Sequence, residues 1–111
     1  MPHCIVEHST DLDAETLINR VYAGAFESGL FEIDGADIKV RTVAYHHYCT
    51  GPSKSSFAHV ELKILSGRTL EMKQHLSSTV LAKLRLLDIA DCSLTVEVVD
   101  IDRASYAKWV S

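Results

Sequence analysis

The sequence predicts an α+β fold in which two tandem β-α-β units form a four-stranded mixed sheet with both helices on one face. Two observations predict this fold class. Apolar residues change from alternating to helical spacing and back, and the same order occurs in both halves of the chain. A strand, a helix and a second strand in succession make the two strands parallel through a right-handed crossover. Two such units side by side place both helices against the same face.

The bulk composition is that of one domain of ordinary size. The chain has 111 residues, of which 47% are hydrophobic, and we expect residues 1–111 to form a single domain with repeat units over about 2–50 and 57–99. The formal charge of −4 argues against nucleic acid as a partner, because nucleic-acid binding needs a basic surface. No apolar run reaches the roughly 18 residues that span a bilayer, and no signal peptide is visible, so we expect a cytoplasmic protein.

The first unit starts with a short strand, from about His3 to His8. Candidates for a helix N-cap follow at once: Ser9, Thr10, Asp11 and Asp13. The apolar face of this helix repeats at helical spacing: Leu17, Ile18, Val21, Tyr22, Ala25 and Phe26. Ser28 and Gly29 are typical of a helix end, and a second strand is predicted over roughly Ile38 to Tyr48.

The second unit follows a polar loop at Thr50–Ser55 and begins with a strand from about Phe57 to Leu65. Thr69 is the predicted N-cap of the next helix. The buried stripe of that helix is predicted to be Leu76, Val80, Leu81, Leu84 and Leu87. The segment from Asp91 to Ser93 follows this helix, and a fourth strand is indicated by Leu94, Val96 and Val98.

Two surfaces are left for further contacts. The sheet face opposite the helices has no cover, and we expect Ile5, Phe57 and other apolar side chains on it, which indicates an oligomer. The C-terminal tail, from Ile101 to Ser111, is too short to assign to a helix or a strand. Its Tyr106 and Trp109 are expected to dock on the core or on a neighbour.

Neither the cysteines nor the histidines predict a metal site. Cys4, Cys49 and Cys92 are far apart with no CxxC spacing, which indicates reduced thiols in a cytosolic protein. The adjacent His46 and His47 point to opposite faces of a strand, and the other histidines show no HxxxH or HExxH spacing. We therefore expect no metal.

Pro2 follows the initiator methionine directly. If Met1 is removed, the ring nitrogen of Pro2 becomes a secondary amine. An ordinary α-amino group titrates near about 8, and burial or nearby cations lower that pKa. Such an amine is suited to act as a base at neutral pH. The alternative is that Pro2 only starts a strand, where its missing N–H costs little.

A proline that opens a β-α-β pair, together with the run Gly67-Arg68-Thr69-Leu70-Glu71-Met72-Lys73, resembles the tautomerase superfamily. The second half, from Ala58 to Leu84, is similar to the first unit of 4-oxalocrotonate tautomerases. Over residues 2–99 the chain resembles the 5-carboxymethyl-2-hydroxymuconate isomerase family, whose members fuse two units. The segments that carry this resemblance are Pro2–Glu7, Gly29–Phe31, Ile38–Arg41 and Phe57–Leu87.

The resemblance implies a cofactor-independent isomerase that forms a homotrimer. Members of this family convert a carboxylated 2-hydroxymuconate-type dienol to its 2-oxo isomer, in the breakdown of homoprotocatechuate. The resemblance also implies that an amino-terminal proline, here Pro2, is the general base and that arginines hold the carboxylates of the substrate. Because only the first unit begins with a proline, we expect one active site per chain.

Four further residues are candidates for this site. Arg68 lies in a turn at a helix N-terminus, where it can grip a carboxylate, or it only pairs with a surface acid. Lys39 and Arg41 share one strand face and form a second cationic clamp, unless they are simply solvated. The family has arginine where this chain has Lys39, which leaves the exact substrate open. His3 lies beside Pro2 and either lines the pocket or is satisfied by a neighbour.

Two other functions stay open. In decarboxylase-like, hydratase-like or dehalogenase-like relatives a protonated proline acts as an acid, so the pKa of the amine distinguishes these reactions from isomerisation. In a non-catalytic trimeric module the fold would serve only for assembly. A retained Met1 would place the nitrogen of Pro2 in a peptide bond and remove its basicity.

Overall fold

The computed structural model describes all residues, 1–111. In chain order its elements are β1 (His3–Ser9), α1 (Ala14–Glu27), β2 (Lys39–Tyr45), β3 (Ser56–Leu65), α2 (Leu70–Arg85) and β4 (Cys92–Ile101). The four strands form one sheet in the order β2-β1-β3-β4. β1 pairs parallel with β2, β3 pairs parallel with β4, and β1 pairs antiparallel with β3. The predicted mixed sheet built from two β-α-β units is thereby confirmed.

The strand pairing gathers several chain segments at the end of the sheet where Pro2 lies. His3 is opposite Lys39 on β2 and opposite Lys63 on β3. Because β3 runs antiparallel to β1, its C-terminal end lies beside Pro2, and the C-terminal end of the parallel β4 lies there too. We call this region the proline end of the sheet. The turn that carries Arg68 and the C-terminal tail both begin there.

α1 begins after Asp13, one of the four cap candidates, and α2 begins after the predicted cap Thr69. The side chain of Asp13 accepts a hydrogen bond from the backbone N–H of Thr16 at 3.0 Å, and that of Thr69 accepts one from Met72 at 3.2 Å. The helices pack closely because Gly24 on α1 has no side chain: a Cβ there would lie 2.7 Å from the Cα of Val80 on α2. Neither helix has the length and apolar character needed to cross a membrane.

The core lies between the two helices and one face of the sheet. The two central strands contribute alternate side chains with no exposed surface: Cys4, Val6, Ala58, Val60, Leu62 and Ile64. The helices contribute the buried residues Leu17, Val21, Ala25, Leu76, Val80 and Leu84. Tyr22 and Phe26 were predicted on the buried face of α1, but they are 37% and 45% exposed and stack on each other at its margin.

The opposite face of the sheet is uncovered within the chain, as expected, but it is less apolar than predicted. Ile5 and Phe57 lie there half-buried, whereas most of the other side chains on this face are charged or polar. These pair across strands or along them: Tyr45 donates to Glu7 at 2.7 Å, Lys63 lies 3.3 Å from Glu61, and His59 lies 2.6 Å from Glu97. An apolar patch alone therefore does not account for an oligomer of this chain.

Two strand boundaries differ from the predictions, and the two tail aromatics occupy different environments. β2 ends at Tyr45 rather than Tyr48, because its partner β1 ends at Ser9, directly opposite, where the chain turns toward α1. β4 runs over Cys92–Ile101, longer than the predicted core of the strand, because it pairs along the whole of β3. Trp109 is 85% exposed and docks on nothing within the chain, whereas Tyr106 packs against the core.

The three thiols are unpaired and differ in accessibility, which makes them a test of the core. Cys4 is fully buried, and burial raises the pKa of its thiol to about 12, whereas Cys49 is exposed. Because only the thiolate is nucleophilic, we expect an aromatic disulfide reagent at pH 8 to modify Cys49 within the mixing phase and Cys4 only after denaturation. Cys49→Ser should remove the fast phase. A fast phase that survives when both Cys49 and the half-buried Cys92 are replaced by serine would contradict the placement of Cys4 in the core.

Candidate active site at the proline end

Pro2 is fully buried at the proline end, and its carbonyl accepts a hydrogen bond from the backbone N–H of Lys39 at 3.1 Å. Met1 precedes it and is also buried, with 8% of its surface exposed. The amino group of Met1 donates to the backbone carbonyl of Asp37 at 2.7 Å and lies 3.7 Å from the Asp37 carboxylate. The start of the chain is thus fixed against the segment that leads into β2.

The surroundings of the N-terminus disfavour a protonated amine. Burial lowers the pKa of the Met1 amino group below its ordinary value, and the positive charges of Lys39 and Lys108 lower it further. The carboxylate of Asp37 acts in the opposite direction, but the net direction is downward. An amine held in this part of the molecule is therefore more readily neutral near pH 7 than one in water.

His3 connects the N-terminal strand to β2 and to the tail. Its Nδ1 lies 3.2 Å from Nη1 of Arg41, and its Nε2 lies 2.9 Å from the hydroxyl of Tyr106. Because a guanidinium only donates, Nδ1 is the acceptor in a neutral ring and the proton sits on Nε2, which donates to Tyr106. Burial, and then the charge of Arg41, lower the pKa of His3, so the imidazole is neutral in this arrangement.

A cavity of about 340 Å³ opens beside the N-terminus. Its lining residues come from the α1–β2 segment, the start of β2 and the tail: Glu32, Ala36, Asp37, Lys39, Lys108 and Val110. Asp37 and Lys39 link this cavity to the N-terminus, because Asp37 holds the Met1 amino group and Lys39 holds the carbonyl of Pro2. The Nζ of Lys39 also donates to the carbonyl of Asp37 at 3.3 Å.

Arg68 lies at the same end of the sheet and, like Pro2, His3 and Arg41, outside the lining of this cavity. Its Nη2 donates to the carbonyl of Leu30 at 2.9 Å, and its guanidinium carbon lies 5.2 Å from the centre of the Phe31 ring. The Leu30–Phe31 segment leads directly to Glu32 in the cavity wall. The geometry therefore brings Pro2, His3, Lys39 and Arg41 together and leaves Arg68 one loop segment away.

A second cavity of about 340 Å³ lies elsewhere in the molecule, between the start of α1 and the α2–β4 connection. It is lined by Asp11, Leu12, Asp13, Thr16, Leu17, Leu87 and Ile89. Because it contains carboxylates and no cation, it is unsuited to bind a carboxylate. The chain also contains no group of three or more His, Cys, Asp or Glu side chains placed to hold a metal ion.

The sequence model of the 5-carboxymethyl-2-hydroxymuconate isomerase family matches residues 2–109. The chain belongs to this family. It is thereby placed among the isomerases of the tautomerase superfamily, as the resemblance of the sequence indicated. The sequence matches none of the curated proteins.

Solved structures agree with the fold of this 5-carboxymethyl-2-hydroxymuconate isomerase family member. A 5-carboxymethyl-2-hydroxymuconate isomerase from Deinococcus radiodurans R1 is 21% identical, with a TM-score of 0.78 over 99% of this chain and 90% of that one. A 5-carboxymethyl-2-hydroxymuconate delta-isomerase is 18% identical, with a TM-score of 0.75 over 99% and 89%. A fused 4-OT, a symmetric trimer, is 16% identical, with a TM-score of 0.77 over 96% and 90%.

Of the six residues of this family member that line the cavity, only Lys39 was predicted from the sequence; the five others include Asp37 and Lys108. Asp37 sits in an irregular segment, and Lys108 sits in the tail beyond the last strand, where no periodicity assigns a side chain to a face. The one available signal is the pair of aromatic residues in the tail, Tyr106 and Trp109, which indicated that the tail docks.

Proposed function

We propose that this protein is a cofactor-independent isomerase that converts a carboxylated 2-hydroxymuconate-type dienol to its 2-oxo isomer. Pro2 acts as the general base once Met1 has been removed. The observation that carries this proposal is the environment of the N-terminus: burial and the charges of Lys39 and Lys108 lower the pKa of the Met1 amino group, one residue before the nitrogen of Pro2, and Pro2 itself is fully buried there. Membership of the isomerase family supports the reaction class.

In the proposed reaction the nitrogen of Pro2 takes the proton of the 2-hydroxyl group. The electrons of that O–H bond form the carbonyl, and the double bonds shift along the carbon skeleton of the substrate. The ammonium of Pro2 then delivers its proton to a carbon atom farther along this skeleton. The amine ends neutral, so the cycle needs no oxidant or cofactor. Negative charge grows on the oxygen during the first step, and nearby cations stabilise it.

The cations of the proline end fit this requirement. Lys39 lines the cavity, and Arg41 lies on the same strand face, held by His3 at 3.2 Å. We assign these two residues to the substrate carboxylates, and His3 to the positioning of Arg41. Arg68 contributes a further guanidinium from the turn before α2, since only one of its N–H groups has a partner within the chain.

Assembly and pathway belong to the same proposal. The fused 4-OT structure is a symmetric trimer of the same fold. We infer a homotrimer for this chain, in which the uncovered sheet face, with its half-buried Ile5 and Phe57, faces the other subunits. The breakdown of an aromatic acid of the homoprotocatechuate type in the cytoplasm is the corresponding metabolic role.

A second candidate keeps Pro2 and changes the reaction to a decarboxylation or hydration in which protonated Pro2 acts as an acid. One observation favours it: the Asp37 carboxylate lies 3.7 Å from the amino group at the N-terminus, which stabilises a cation. Burial and the two lysines oppose this effect. The pH dependence of the reaction decides between the two candidates.

We expect the protein to accelerate ketonisation of 2-hydroxymuconate, with kcat/KM constant at neutral pH and falling as the pH is lowered. The active base must be unprotonated, so activity is present above the pKa of the amine and is lost below it. Because burial and the nearby lysines lower the pKa of an amine at the N-terminus, the midpoint should lie below the ordinary α-amino value of about 8. It is measured from the dienol absorbance between pH 5 and 9.5. Activity that instead falls as the pH is raised, with a midpoint above about 9, would support the acid-catalysed reactions.

A further inference from the structure

The C-terminal tail returns to the proline end and is fixed there on both sides. Where it leaves β4, Nε of Arg103 donates to the carbonyl of Ser66 at 3.1 Å. Three residues later the hydroxyl of Tyr106 lies 2.9 Å from Nε2 of His3, beside Pro2. Tyr106 is half-buried and packs against the core. These contacts determine the path of the residues that follow.

Beyond Tyr106 the tail forms one wall of the cavity at the N-terminus, through Lys108 and Val110. The charge of Lys108 reaches the amino group of Met1, whose pKa it lowers. Lys39 contributes to the same cavity from the start of β2. Two cations from distant parts of the sequence therefore flank the space beside the general base.

The acids of the cavity do not neutralise Lys108. One oxygen of the Asp37 carboxylate accepts from the backbone N–H of Glu32 at 3.2 Å, and the other faces the N-terminal amino group at 3.7 Å. Lys108 forms neither a salt bridge nor a hydrogen bond within the chain. An unpaired ammonium in a cavity wall is free to bind an anionic group of a ligand.

We propose that Lys108 is a specificity-determining residue that binds the carboxylate of a dicarboxylate substrate farthest from the reacting enol. This inference deepens the proposed isomerase function and rests on it. Lys39 and Arg41 lie on β2 and take the carboxylate next to the enol, whereas Lys108 stands on the tail at the other wall. A substrate with a single carboxylate makes no contact with Lys108, so its turnover does not depend on this residue.

The test compares Lys108→Gln with the natural chain on 2-hydroxymuconate, which has two carboxylates, and on the enol of phenylpyruvate, which has one. For 2-hydroxymuconate we expect KM to rise about 10–100-fold with kcat nearly unchanged, because one charge-assisted hydrogen bond is lost. The kinetics of the phenylpyruvate enol should stay the same. In Lys108→Arg, KM for 2-hydroxymuconate should fall most of the way back to its value in the natural chain.

Lys54→Gln is the matched control, since Lys54 is exposed in the loop before β3, at the opposite end of the sheet. The Lys54→Gln variant should leave KM and kcat unchanged for both substrates. An unchanged KM for 2-hydroxymuconate in Lys108→Gln, or an equal rise for both substrates, would overturn the role of Lys108 while leaving the isomerase function intact. If the natural chain ketonises neither substrate, the proposed function itself is overturned and the role of Lys108 falls with it.

Discussion

Replacement of Pro2 by alanine is expected to lower kcat/KM for ketonisation of 2-hydroxymuconate by about 10²–10⁴-fold, the usual contribution of a general base. The ring of Pro2 is fully buried, and its carbonyl is fixed by Lys39 at 3.1 Å, so the nitrogen has one orientation. Alanine leaves a primary amine without the ring, which is free to turn away from the substrate. The rate is followed by the loss of dienol absorbance at saturating and at low substrate concentrations.

The chain offers its own control in Pro52, the other of its two prolines, which is exposed in the loop before β3. Pro52→Ala should retain full activity. Intact mass must show that Met1 is absent from the natural chain and from both variants, since a retained methionine removes the basic nitrogen in any of them. Full activity of Pro2→Ala, or full activity of a natural chain that still carries Met1, would contradict a role for Pro2 as base.

The sequence was sufficient to place the helices and most strands because their signals are local. Caps act within one helical turn: Thr69 was predicted and confirmed, and the structure selects Asp13 from four candidates before α1. Strand ends depend instead on the partner strand. β2 stops where β1 has no further residue to pair at Ser9, and β4 extends as far as β3 does, to Ile101. Neither limit is encoded in the strand's own residues.

The residues of the candidate site also fall into two groups, those that the sequence could place and those that it could not. Lys39 and Arg41 were predicted to share a strand face because alternation fixes it, and the register places His3 opposite Lys39. Lys108 and Asp37 could not be predicted, because they reach the cavity through segments without regular structure. The path of the tail is set by the contact between Tyr106 and His3, which are 103 residues apart in the sequence.

The sequence and the structure indicate different roles for Arg68. The sequence predicts a carboxylate-binding guanidinium in the turn before α2. In the structure its Nη2 donates to the carbonyl of Leu30 and its guanidinium carbon lies over the Phe31 ring, which supports the loop next to the cavity. The two roles are compatible, since a guanidinium has five N–H donors and only one of them is used here.

We expect Arg68→Gln to lower kcat by about 10²–10³-fold, because a positioned cation no longer stabilises the charge that develops on the substrate oxygen. Arg85→Gln is the control, since Arg85 is an exposed arginine at the C-terminal end of α2, the helix that follows the turn of Arg68. Its kinetics should match those of the natural chain. Steady-state kinetics and urea unfolding at one protomer concentration are measured on both variants. If Arg68 only supports the Leu30–Phe31 segment, Arg68→Gln will lower the free energy of unfolding and leave kcat unchanged, because the folded fraction then still carries every group that touches the substrate.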